Sequence, residues 1–117
     1  VTRQPINPVE VEYQIMDVCD AMETETEQYA RLSELAASSE AKYKLVYAKA
    51  LVDMASQSST KMTAQERQAR ADLISNDEFR IFRINEARRV SSKEALLSLR
   101  ARLDALRTLS ASLRHQT

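Results

Sequence analysis

The sequence predicts an all-α, self-associating protein built from long helices in a helical-hairpin or coiled-coil-like arrangement. Three observations carry that expectation. No glycine occurs in the 117 residues, and the only prolines are Pro5 and Pro8. Ala, Leu, Glu, Arg, Gln and Lys, all good helix formers, dominate the composition. Near the C-terminus Leu96, Leu99, Leu103, Leu106 and Leu113 recur at steps of three and four, with Ser110 in the remaining slot. About 3.5 residues per repeat keeps one apolar seam facing a partner helix, from the same chain or another copy. Leu97 and Leu109 widen the stripe.

The helices are expected at about 8–55, 64–74 and 76–114, in a single helical domain spanning 8–117. Residues 1–7 read as a flexible N-terminus with little to bury. Asn7-Pro8-Val9-Glu10 then starts a helix: Asn caps, Pro fits the first helical position and Glu stands at N3. Ile15, Met22, Tyr29, Ala36, Tyr43 and Ala50 are each seven apart, so the register survives Ser38-Ser39 and favours one continuous or kinked helix. Unbroken, it would run roughly 70 Å, and the chain must fold back on it or oligomerise. Glu25 or Thr26 interrupts its seam, and Cys19 falls on the apolar stripe as a buried thiol.

The polar stretch 56–62 reads as a loop. Thr63-Ala64-Gln65-Glu66 is a capping box opening a short helix. Ser75-Asn76-Asp77-Glu78 is a second, marking a fresh start or sharp bend. The last helix begins with Phe79 and Phe82, is weakly patterned over 83–95, and ends in the leucine stripe.

The absence of glycine excludes Rossmann and Walker phosphate loops. One cysteine and one histidine, His115, cannot make a zinc site. Asp17, Asp20, Glu23 and Glu27 share a helix face, without the Glu-x-x-His pairs of di-metal bundles. No cofactor, metal or catalytic residue is therefore expected, and the chain reads as a non-enzyme. No apolar run approaches the roughly 20 residues that span a membrane, and no signal-peptide core appears. A cytoplasmic protein without membrane contact is expected.

Net charge is zero but uneven: residues 1–37 carry −6, 38–75 carry +2 and 76–117 carry +4. Lys42 and Lys49 are seven apart on one face, with Lys44 near and Tyr43 and Tyr47 interleaved. Phosphates need positioned cations, and aromatic faces stack unpaired bases. These five residues suit single-stranded DNA, or else the tyrosines fill the core and the lysines are solvated. Arg80, Arg83, Arg88 and Arg89, with Lys93, form a second basic cluster where the apolar stripe is weakest. It faces either an anionic partner or an acidic helix of a neighbouring subunit.

The order of these features resembles the UvsY-like phage recombination mediators over roughly residues 29–117. Ser39 to Ser56, SEAKYKLVYAKALVDMAS, resembles their lysine-rich helix; Lys49, Ala50 and Asp53 match its core, while Leu51 stands where the family has arginine. Met62 to Ile74 resembles their short helix, and LDALRTLSASLRH from Leu103 resembles their closing helix. The resemblance implies a homo-oligomeric recombination mediator that binds single-stranded DNA, with Lys42, Lys44 and Lys49 as contacts. It also implies a recombinase and a single-strand-binding protein as partners. Leu96, Leu99, Leu103, Leu106, Leu109 and Leu113 are the expected oligomerisation residues. The rival expectation is a helical scaffold, chaperone or inhibitor that binds protein and no nucleic acid.

Overall fold

In a computed structural model, which describes residues 7–57 and 61–115, the chain is all-α. Among the described residues three helices follow one another: α1, Pro8–Ser56; α2, Ala64–Ile74; and α3, Asn76–His115. No strand occurs among the described residues. None of the described helices is long and apolar enough to cross a membrane. The expected flexibility of residues 1–6 and the loop positions 58–60 lie outside the described residues.

Each helix start has a visible cause. The Asn7 side-chain oxygen accepts from the Val9 amide at 2.9 Å, satisfying one of the amides a helix leaves unpaired at its N-terminus. Thr63 caps α2 in the same way, its hydroxyl oxygen accepting from the Glu66 amide at 3.1 Å. Ser75 behaves differently from the capping box expected there. Its hydroxyl donates back to the Ala71 carbonyl at 2.7 Å instead of capping α3. The backbone makes only a one-residue turn, and the Phe79 amide donates to Ser75 O. A single serine thus separates two helices that nearly run on. No described residue has positive φ, so the lack of glycine is no obstacle to this backbone.

The chain divides into two compact units, Val1–Ala30 with Ser91–Thr117, and Arg31–Val90. In the first unit, the N-terminal part of α1 packs antiparallel against the C-terminal part of α3. Val11, Val18, Leu103 and Leu106 are buried together, with Ile15, Met22, Leu99, Leu109 and Leu113 against them. The leucine stripe therefore finds its apolar partner in the chain's own first helix. Five of the six residues expected to join subunits (Leu99, Leu103, Leu106, Leu109 and Leu113) lie in this intrachain cluster, and Leu96 is half-buried.

Glu25 occupies the interrupted slot, not Thr26, whose hydroxyl donates to the Met22 carbonyl. The Glu25 carboxylate accepts from the buried Ser92 hydroxyl at 2.7 Å. A polar pair in an otherwise apolar seam fixes register, since sliding either helix would leave a half-buried carboxylate without its donor. Cys19 is exposed, not buried as its place on the stripe suggested. Val18 takes the seam position, and the next residue is rotated about 100° from it.

In the second unit, α2 packs on the end of α1 through Ala50, Met54 and Ala71, with Tyr47, Leu51 and Met62 around them. Ala71 is 0% exposed. Alanines on both helices allow close approach and leave no volume for a larger side chain. Above this cluster α1 runs antiparallel to α3. The weakly patterned stretch of α3 turns out to keep the seam with polar residues. Asn85 donates to the Ser39 hydroxyl oxygen at 3.2 Å, while that hydroxyl donates to the Leu35 carbonyl at 2.7 Å. Patterning by hydropathy misses such positions, because the buried residues are Asn and Ser.

Candidate nucleic-acid interface

The expected DNA-contacting residues all lie in the second unit, where eleven basic and eight acidic side chains leave a formal charge of +3. The first unit, with six basic and nine acidic, carries −3. Helix geometry then sorts the candidates into those turned inward and those facing solvent.

Tyr43 and Tyr47 turn inward. The Tyr43 ring lies 5.1 Å from Phe79, tilted by 59°, and 6.2 Å from Phe82, nearly parallel at 5°. Tyr47 is 6.2 Å from Tyr43 and packs on the Ala50–Met54–Ala71 cluster. These offset and tilted contacts are the arrangements aromatic quadrupoles favour. Both tyrosines are half-buried and join α1 to α2 and α3. The heptad position of Tyr43, seven residues from Ala36 and from Ala50, gives the reason.

Two of the cations have intrahelical partners. Lys44 is 2.8 Å from Glu40, one turn earlier. The hydrogen bond that Lys44 donates to Glu40, and the charge of that carboxylate, hold the Lys44 ammonium above its ordinary pKa. Both groups are solvated, so the pair adds little stability and a stronger anion can displace it. Arg89 is half-buried and makes a bidentate contact with Glu86. The hydrogen bond from Arg89 holds the Glu86 carboxyl below its ordinary range, opposed in part by desolvation. Arg89 is the candidate least able to serve an external phosphate.

Lys42, Lys49, Arg80, Arg83 and Arg88 are exposed, and none makes an ion pair with a described residue. They project from α1 and α3, elements braced by the tyrosine–phenylalanine contacts. The braced backbone needs no reordering when a polyanion binds, so the ordering cost falls on the cationic side chains themselves.

The sequence reading missed Arg67 and Arg70, which α2 contributes to the same unit. Arg70 is exposed and faces a groove between α1 and α2 of about 500 Å³, lined also by Lys49, Asp53, Met54 and Ile74. Lys49 and Arg70 stand 21 residues apart in sequence, so no local pattern could have joined them.

Exposed apolar side chains are also concentrated here. Leu45, Val52, Leu73, Ile74, Ile81 and Ile84 are each more than half exposed, Leu73 reaching 79%. Among the described residues no group of three or more His, Cys, Asp or Glu side chains is placed to hold a metal ion.

The geometry defines an all-α helical-hairpin protein with a basic, partly apolar second unit. No family model, curated protein or solved structure matches the chain.

Proposed function

We propose that this chain is a non-enzymatic DNA-recombination accessory protein of the mediator type, binding single-stranded DNA and assisting a recombinase in the cytoplasm of a host cell. The observation that carries the reading is the set of exposed cations that make no ion pair with a described residue, Lys42, Lys49, Arg80, Arg83 and Arg88, gathered on the +3 unit. The resemblance to UvsY-like mediators supplies the recombinase and the single-strand-binding protein as partners. Tyr43 and Tyr47 have core roles in this reading, so affinity rests on phosphate contacts more than on base stacking. Such contacts are individually weak, and a homo-oligomer would multiply them by presenting several copies to one strand. With the leucine seam engaged within the chain, the exposed Leu45, Val52, Ile81 and Ile84 are the side chains available for joining subunits.

Those same apolar residues favour a second reading, a helical scaffold or inhibitor that binds protein alone. Fluorescence anisotropy with a labelled single-stranded oligonucleotide separates the two. Phosphate-led binding by five cations predicts an affinity that falls by about two orders of magnitude between 50 and 200 mM salt. An unchanged anisotropy at low salt and high protein concentration would remove the DNA reading and leave the scaffold.

A further inference from the structure

The groove between α1 and α2 combines features that neither helix has alone. Its lining includes the apolar side chains of Ala50, Met54 and Ile74. Lys49 on α1 and Arg70 on α2 line it as well, with the Asp53 carboxylate one turn beyond Lys49. Neither cation makes an ion pair with a described residue, although Lys49 and Asp53 are four residues apart on one helix. The space, about 500 Å³, falls within the range of small-ligand sites.

We infer that this groove seats one nucleotide of a single strand: the base against Met54 and Ile74, the adjoining phosphate at Lys49 and Arg70. The inference rests on the DNA reading above and adds to it Arg70 and a site for a base. The chemistry matches group by group. Every base has a flat, weakly polar face, and the Met54 and Ile74 side chains cover it by apolar contact. A guanidinium offers planar paired donors to phosphate oxygens, and an ammonium adds a point charge. Asp53 accepts an N–H from the base edge, because a carboxylate is acceptor-only at neutral pH. A free nucleotide carries the same phosphate and base. The strand is favoured because its neighbouring phosphates reach the exposed lysines of α1, a second set of contacts that a mononucleotide lacks.

The test compares the full chain with Arg70→Ala and Ile74→Ser, both at exposed positions, and with Arg100→Ala in the other unit. Anisotropy is read at 0.15 M salt with two labelled probes, a deoxycytidine oligomer and the same backbone made abasic. Arg70→Ala should weaken both probes about fivefold, and Ile74→Ser should weaken only the base-bearing probe by a similar factor. Arg100→Ala should leave both unchanged, and deoxycytidine monophosphate should not displace the oligomer at equal nucleotide concentration. Full affinity in Arg70→Ala, or equal losses on both probes in Ile74→Ser, would overturn the groove. If Lys42→Glu still weakened binding in that case, the broader DNA reading would stand without it. Displacement by the mononucleotide would overturn the strand as occupant. An unmodified protein that bound neither probe, even at low salt, would overturn both proposals.

Discussion

Replacing Leu103 by alanine should destabilise the protein by about 2–5 kcal/mol. Leu103 is 6% exposed and sits with Val11, Val18 and Leu106 where the first and third helices meet. Truncation removes a branched side chain from the packed seam and leaves a cavity against Val11, Val18 and Leu106. The control is Leu97→Ala, on the same helix but 48% exposed, with an expected effect within about 0.5 kcal/mol. Urea denaturation followed by circular dichroism measures both. The seam lies within one chain, so the difference between the Leu103→Ala and unmodified midpoints should not depend on protein concentration. A seam formed between chains would make that difference change with concentration, because the truncation would weaken association itself. Equal effects at 97 and 103 would show that the stripe is not packed in this way.

Tyr43 separates a core role from a DNA-contacting one. Tyr43→Ala removes the ring that touches Phe79, Phe82 and Tyr47, and should destabilise by about 2–3 kcal/mol. Tyr43→Leu restores apolar volume but not aromaticity. It should recover much of the stability and bind single-stranded DNA as the unmodified protein does. An affinity loss in a folded Tyr43→Leu variant would mean that the ring stacks on bases after all.

These two residues also show what the sequence could and could not convey. Heptad spacing was legible because burial in a helical hairpin depends on a period, and a period survives imperfect residues. The same spacing could not say whether the leucine stripe faces its own chain or another, since the seam chemistry is identical in either case. Asn7 and Thr63 could be read as caps because capping is local. Ser75 was harder, because a hydroxyl can cap the next helix or bond back to the last one, and burial decides between them. Hydropathy hid the seam through Ser39, Asn85 and Ser92, whose polar groups are satisfied by partners distant in sequence. The tyrosines sat at core spacing all along, and the lysines interleaved with them lent both the look of a binding surface. Arg70 went unseen because only the packing of α2 on α1 brings it beside Lys49.

The central functional claim is that the cations of the second unit, and not basic residues in general, bind single-stranded DNA. Two triple charge reversals of equal size test it directly: Lys42→Glu, Arg80→Glu and Arg83→Glu in the second unit, against Arg100→Glu, Arg102→Glu and Arg107→Glu in the first. All six positions are exposed, and circular dichroism confirms that each variant is folded before binding is measured. At 0.15 M salt, where charges beyond about 8 Å are largely screened, the first triple should lower affinity about a hundredfold and the second less than about threefold. Equal losses from the two triples, or no loss from the first, would contradict the account.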